Sequence, residues 1–311
     1  MQLHFGIGLL HAEWRRAVAC VGTFDGVHRG HQAVVKAAVE RAKSEDLPCV
    51  LVTFDRHPAA VLAPHQCPKA ISPLDENLRA LQELGVAMGV VLAFDAELSR
   101  MSAQRFLDEI LLKSLHASHI VVGHDFAMGN GREGNTEWLQ ARISTTVVPP
   151  FELDDQRVSS TDVRKAVQAG EMEHATLLLG RPFAISGLVV EGQRLGRQLG
   201  FPTANIARSF DQVSPKDGVY GGWLTCSRGK FMAAVSMGTR PAVGGTTRTI
   251  EAYLLDYPGD SLYGQAVRLE LHSRLRDEWY FDTLDALKKQ IGKDVEDVRQ
   301  LLSISESDNV Y

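Results

Sequence analysis

Residues 17–31 read AVACVGTFDGVHRGH, and this stretch decides how the first half of the chain folds. The apolar run 17–23 predicts a strand covered on both faces. Beyond the loop that follows, Val34, Val35, Ala38, Val39 and Ala42 recur at helical spacing and predict an amphipathic helix. A strand feeding a helix is the opening of a β-α-β unit. Working outward, the runs 49–54, 89–94, 119–123 and 145–148 predict further strands. Between them, 74–84 (stopped by Gly85) and 102–115 (capped by Ser102) predict helices. Repeated units of this kind predict a doubly wound, Rossmann-like parallel sheet.

After about residue 180 the pattern changes. Apolar or alternating runs at 183–191, 218–225, 230–237, 248–257 and 266–272 follow one another with turn residues between them, such as Gly244-Gly245 and Pro258-Gly259-Asp260. Ile250 and Leu254 alternate with Thr249, Glu251 and Tyr253. This predicts a small antiparallel β-barrel. A terminal helix is expected over 283–302, with Leu284, Leu287, Ile291 and Val295 on its apolar face, and then a polar, frayed tail. The boundary is placed at Gly180-Arg181-Pro182, giving an α/β domain 1–180 and a barrel domain 181–311.

A chain of 311 residues with 44% hydrophobic content is long enough for two cores. Its 33 basic and 38 acidic residues give a net charge of −5, which provides no basic field for nucleic acid. The longest clean apolar stretch, 87–94, is far short of the ~18 residues that a membrane helix needs. At the N-terminus arginines follow the apolar stretch, the reverse of a secretory signal. Cys20, Cys49, Cys67 and Cys226 show no CxxC pairing and read as reduced thiols of a cytoplasmic protein.

The loop after the first strand carries the first chemistry. His28 and His31 flank Gly30 at a helix start, beyond the carboxyl end of a strand, where an open α/β sheet binds its ligands. Free N–H groups and the helix dipole favour phosphate there. Imidazole N–H groups can donate to oxygens that gain charge in phosphoryl or nucleotidyl transfer. No GxxxxGK[ST] string occurs and no GxGxxG follows the first strand, which argues against a P-loop or a dinucleotide dehydrogenase. Further on, Ser160, Thr161 and Arg164 offer hydroxyls and a guanidinium fork at another helix start. A Ser/Thr helix cap is common, so they gain meaning only beside the histidine pair.

The barrel half carries the second. The stretch 192–205, GQRLGRQLGFPTAN, combines flexible backbone with arginines, as a phosphate-binding loop does. Thr203 and Asn205 are two apart, so an extended segment points both to one face. Their neutral oxygens suit Mg²⁺, which takes nucleotide phosphates and water as its other ligands. Glu251, on the polar face of a strand, is placed either to accept a proton from a substrate hydroxyl or simply to be solvated.

These strings carry a resemblance. Residues 22–31 (GTFDGVHRGH), 53–58 (TFDRHP), 121–126 (VVGHDF) and 159–164 (SSTDVR) resemble the first half of bacterial bifunctional riboflavin kinase/FAD synthetases. Residues 196–205, 250–257 (IEAYLLDY) and Leu275-Arg276-Asp277-Glu278 with Phe281 are similar to its kinase half. The resemblance covers about residues 18–302. It implies a nucleotidyltransferase domain that adenylylates FMN and a barrel that phosphorylates riboflavin. In the first domain it implies that Gly22, Phe24, Asp25, His28, Gly30, His31, Ser160, Thr161 and Arg164 handle ATP, with Asp125 and Phe126 near flavin. In the barrel it implies that Gly192, Gly196, Arg197, Gly200 and Pro202 hold ATP and that Thr203 and Asn205 hold the metal. Glu251 is then the base, and Arg276 and Glu278 contact flavin.

The chain departs from the family pattern in places. Asp162 stands where a basic residue is usual, Arg56 replaces a proline, and Ala127, Met128 and Asn130 replace basic, Phe and basic residues. Ser236 and Ala242 replace Asn and Thr. A lost cation at a phosphate site removes a charge-assisted contact worth about 1.5–3 kcal/mol. The adenylyl-transfer step is therefore expected to be slower than the kinase step, or its flavin preference altered. The sequence reading is thus a Mg²⁺-dependent enzyme acting on riboflavin, FMN and ATP, with no nucleic-acid or membrane partner. A kinase with a silent first domain, a flavin- or nucleotide-sensing protein, and a nucleotidyltransferase for another phosphorylated acceptor are the alternatives.

Overall fold

The computed structural model describes residues 1–8, 15–192, 195–208, 210–242, 245–259 and 261–307. Gln193, Arg194, Gly244, Asp260 and the last four residues of the expected tail lie outside them. The chain divides into two compact units, Met1–Ser160 and Thr161–Tyr311.

In the first unit six parallel strands form one sheet: β1 (Gln2–Phe5), β2 (Ala17–Val21), β3 (Cys49–Phe54), β4 (Met88–Leu92), β5 (Ala117–Gly123) and β6 (Thr145–Val148), in the order β1-β4-β3-β2-β5-β6. Alternate residues serve opposite faces. Ala17, Ala19, Val21, Val50 and Val52 pack with Phe106, Leu107, Ile110 and Leu111 on one side. Val18, Cys20, Cys49 and Leu51 meet helix α1 (Arg29–Ser44) on the other, through Val35, Ala38, Val39 and Ala42. Each Val, Leu, Ile or Phe side chain among them contributes about 1.5–3 kcal/mol on burial, and two covered faces define a doubly wound sheet. Ser102 caps the helix that begins at Ala103, accepting from the Arg105 N–H.

All four cysteines are free thiols, and burial pushes those of Cys20 and Cys49 up, Cys49 to about 12. The chain runs outward from β2 through β3 and β4, then returns to β5 on the other flank of β2. The crevice beyond the carboxyl ends of β2 and β5 is therefore the topological switch point. Strand β1 was not expected: it is an edge strand, mostly exposed, with no continuous apolar run.

The second unit begins inside helix α2 (Ser160–Ala169), followed by α3 (Met172–Leu179). This division falls earlier in the chain than 180/181, because α3 buries Met172, Ala175, Leu178 and Leu179 and packs on barrel strands. The barrel is closed and antiparallel, built from β7 (Phe183–Val190), β8 (Thr203–Arg208), β9 (Gly218–Cys226), β10 (Gly229–Ala242), β11 (Gly245–Leu254) and β12 (Ala266–Arg276), in the order β7-β8-β11-β10-β9-β12.

Phe183, Ile185, Ala204, Ile206, Ala233, Val235, Ile250, Ala252, Leu269 and Leu271 are buried, and the residues between them face the other way. Terminal helix α4 (Leu284–Ser307) covers part of that outer wall with Val298 and Leu302. Two expectations are corrected here. The helix continues through Ser307, so 303–307 are not frayed tail. Leu284 is 60% exposed, and the buried stripe runs instead through Asp294, Val298 and Leu302.

Among the described residues no helix is long and apolar enough to cross a membrane.

Candidate active sites

In the first unit the segment after β2 turns sharply. Phe24 (φ 48°), Gly26 (φ 75°) and Val27 (φ 41°) all adopt left-handed backbone, which for Phe and Val costs energy unless the surroundings enforce it. Here they do. The Asp25 carboxylate, almost buried, accepts from the Ile71 N–H at 2.9 and 3.1 Å and from the Ser72 N–H at 3.4 Å. The Gly26 N–H donates to Asn77 Oδ1 at 3.0 Å. Phe24 is 2% exposed, beneath the loop. Phe24 and Asp25 thus shape the loop from below, and His28 and Gly30 emerge at the start of α1.

His28 is the N-cap of α1, its Nδ1 accepting from the His31 N–H at 3.3 Å. Because Nδ1 accepts, the proton of a neutral His28 sits on Nε2, which is then a donor. The two imidazoles stack with centroids 3.7 Å apart and planes 20° apart, and Phe24 meets His31 edge-on at 5.5 Å. A Cβ at Gly30 would lie 3.0 Å from His28 Cε1, so a side chain there would displace the ring. Ser160 Oγ donates to the Asp25 carbonyl at 3.3 Å. Helix α2 begins at Ser160, with Thr161 next and Arg164 one turn on.

Across the switch point, β5 ends at Gly123, just before Asp125 and Phe126. Arg157 donates to the Asp125 carboxylate, and Arg132 Nη2 donates to the Asp125 carbonyl at 3.0 Å. Two cations therefore serve this segment although Ala127 and Asn130 bring none. Met128 is buried against the core of its unit. Arg56, at the end of β3, is held by Asp55 at 2.7 and 3.0 Å. Burial works against the Asp55 charge, but the bonds from Arg56 and the Phe94 N–H hold its carboxyl below its ordinary range. Asp162 lies 3.9 Å from Lys165 Nζ.

In the second unit strand β8 pairs with β11, placing Thr203 opposite Tyr253 and Asn205 opposite Glu251. Strand β10 flanks β11 on its other side and sets Ser236 opposite Glu251. Asn205, Glu251 and Ser236 form a polar row on the outer wall of the barrel. Thr203 Oγ1 donates to Glu251 Oε2 at 3.4 Å.

The loop before β8 closes on itself, the Phe201 N–H donating to the Gly196 carbonyl at 2.8 Å and Gly200 adopting φ 89°. Arg197 is exposed on this loop, and Pro202 leads into β8. Phe201 sits edge-on to Tyr253 at 5.3 Å. A Cβ at Gly192 would lie 2.3 Å from Asn205 Nδ2 and 2.5 Å from its Cγ, so this backbone touches the Asn205 amide. Glycine is thus required at 192 by close approach.

Gly192→Ala should swing Asn205 out of the row. Misplacement of about 1 Å in such machinery costs on the order of 100-fold. The kinase activity that the resemblance implies for the barrel is expected to fall by about that factor, with the activity implied for the first domain unchanged, as steady-state assays of the two half-reactions would measure.

Glu278 lies over β10: a Cβ at Gly238 would collide with its carboxylate, 2.4 Å from Cδ. Arg276 faces away from solvent, paired with Asp294 of α4 at 2.6 and 2.9 Å. Sequence reasoning passed over Asp294, and the available signal was an acidic residue interrupting the apolar stripe of α4.

The proteins that resemble this chain agree with this two-part construction. Residues 10–162 match the FAD synthetase family model and residues 179–302 the riboflavin kinase family model. The bifunctional riboflavin kinase/FMN adenylyltransferase of Escherichia coli strain K12 is 38% identical over 312 residues, covering 98% of this chain and 99% of that protein. The Pseudomonas fluorescens protein of the same description is 39% identical over 311 residues, covering 98% and 99%. That of Bacillus subtilis is 31% identical, covering 95% of each. A crystal structure from Streptococcus pneumoniae, described as a macrolide-efflux protein, superposes with a TM-score of 0.89 at 30% identity, over 96% of this chain and 99% of its own. At this identity over almost the whole length of both chains, this protein belongs to the bifunctional riboflavin kinase/FMN adenylyltransferase family.

Proposed function

We propose that the chain makes FAD from riboflavin in two ATP-dependent steps, one in each half. The observation that carries this is the presence of two separate polar constellations, the stacked His28–His31 pair and the Thr203–Asn205–Glu251 row, each built within its own compact unit. The kinase half is taken as 181–311 and the adenylyltransferase half as 1–180.

In the kinase step the riboflavin 5′-hydroxyl attacks the γ-phosphorus of ATP, its proton passes to Glu251, and ADP leaves. Thr203 orients the Glu251 carboxylate by its hydrogen bond. The hard oxygens of Thr203 and Asn205 beside a carboxylate suit Mg²⁺, which would neutralise charge on the nucleotide phosphates. Gly192, Gly196, Arg197, Gly200 and Pro202 form the loop against the nucleotide, and Arg276 and Glu278 border the flavin.

In the adenylylation step a phosphate oxygen of FMN attacks the α-phosphorus of ATP and pyrophosphate leaves. The nucleophile is already anionic, so no protein base is needed. His28 and His31 donate to the oxygens that gain charge. Ser160, Thr161 and Arg164 hold the triphosphate, while Gly22, Phe24 and Asp25 keep the loop in shape. Asp125 and Phe126 lie on the flavin side. Such a pathway of small, soluble substrates suits a cytoplasmic protein.

The direct test is to incubate the purified protein with riboflavin, ATP and Mg²⁺ and separate FMN from FAD. Both products are expected in sequence; FMN alone would leave a kinase with a silent partner domain, and neither would end this reading. With Asp162 in place of a cation, adenylylation of FMN is expected to be slower than phosphorylation of riboflavin. An adenylylation rate equal to or above the kinase rate would contradict that.

A further inference from the structure

Arg276 is more tightly bound than a ligand-gripping arginine should be. Its Nε donates to Asp294 Oδ1 at 2.9 Å and its Nη2 to Asp294 Oδ2 at 2.6 Å. Nη1 donates to the Asp277 carbonyl at 3.0 Å. The Trp279 ring lies over the guanidinium at 4.7 Å, with Phe281 at 6.0 Å. Asp294 Oδ1 also accepts from Gln290 Nε2 at 2.9 Å. The pair is buried, with side-chain exposures of 12% and 5%, unlike the open pair Arg299–Asp256 at 44% and 73%.

A buried ion pair is a poor source of stability, because desolvation offsets the attraction. A bidentate fork does fix geometry. What this one fixes is the segment between β12 and α4. Arg276 ends β12, Asp294 lies on α4, and Asp277 to Phe281 are strung between them. Within that segment Glu278 is set over Gly238, two residues along β10 from Ser236, which faces Glu251.

We infer that Asp294 is a positioning residue for the flavin: by holding the guanidinium edge of Arg276, it sets the Glu278–Phe281 segment relative to the phosphoryl-transfer row. The inference rests on the kinase reading above. It assigns Arg276 a role in ordering the flavin border rather than in offering its bidentate edge to the ligand.

The test is Asp294→Asn in the full-length protein, which keeps the side-chain shape but weakens the fork. Riboflavin KM, and riboflavin affinity measured by quenching of flavin fluorescence, are expected to weaken about tenfold, equivalent to about 1.4 kcal/mol. The kcat at saturating riboflavin and the KM for ATP should stay within about twofold, because the lost interaction concerns binding rather than the chemical step. Adenylylation of FMN by the same sample reports that the rest of the protein is intact.

A lower kcat with unchanged riboflavin KM would mark Asp294 as merely structural and overturn the inference, as would no change at all. If the Asn variant does not fold, Gln290→Met is read in the same way. It removes one donor to Asp294 and should raise riboflavin KM about threefold, in keeping with a single hydrogen bond; an unchanged KM overturns the proposal. Wild-type protein that ignores riboflavin would refute the kinase reading itself. Wild-type turnover with unaltered variants refutes only the role of Asp294.

Discussion

Glu251→Gln is expected to lower riboflavin phosphorylation by about 10²–10⁴-fold, the range general-base catalysis contributes, while FMN is still adenylylated at the wild-type rate. Glutamine has the size of glutamate and its carbonyl oxygen can still accept from Thr203 Oγ1, so the polar row with Asn205 and Ser236 should survive. What it lacks is the capacity to take the hydroxyl proton. The loss should therefore appear in kcat, with riboflavin KM little changed. Glu251→Gln should remove chemistry and keep binding, whereas Asp294→Asn should weaken binding and keep chemistry. Retained FMN formation in Glu251→Gln would exclude Glu251 as the base. Loss of both half-reactions in folded protein would refute two independent sites.

The parts of this arrangement legible in the sequence are those set by local pattern. Strand β2 and helix α1 were readable because apolar runs and 3.6-residue spacing are properties of neighbouring residues. The barrel was readable because short alternating runs separated by turn residues leave few other architectures. Strand β1 was not, since an edge strand need not be apolar, and neither was β8, whose TANIAR string mixes polar and apolar residues.

Within the candidate sites, the closeness of the two histidines and of Thr203 and Asn205 was readable because each pair lies within a few positions of chain. The bond from the Ile71 N–H to Asp25 spans 46 positions and the Arg276–Asp294 pair 18. No local rule announces either. The resemblance supplied roles for Arg276 and Glu278, but only the fold shows that Arg276 is already committed to α4. The row Asn205–Glu251–Ser236 is likewise a product of register: β10 and β11 follow one another in the chain, but β8 meets β11 across 48 positions from Thr203 to Glu251.

His31→Ala should produce the opposite outcome in the other half: FAD formation from FMN falls by about 10²–10³-fold, the cost of removing one preorganised donor to a developing oxyanion, while riboflavin is still phosphorylated. His31 is a cleaner probe than His28. Alanine keeps the backbone N–H that His28 Nδ1 accepts, so the cap of α1 remains and the proton on His28 stays at Nε2. Removing His28 would take away donor and cap together. The substitution does delete a ring stacked at 3.7 Å on His28 and edge-on to Phe24. A modest loss of stability is therefore expected, and kinase activity in the same preparation guards against confusing it with a catalytic defect. If the histidine acts on the transition state, kcat should fall while KM for FMN and ATP stay near wild type. A rise in KM for ATP at unchanged kcat would instead make His31 a ground-state phosphate contact. Undiminished FAD synthesis would remove the histidine pair from the mechanism and leave the charge stabilisation to the amide groups at the start of α1.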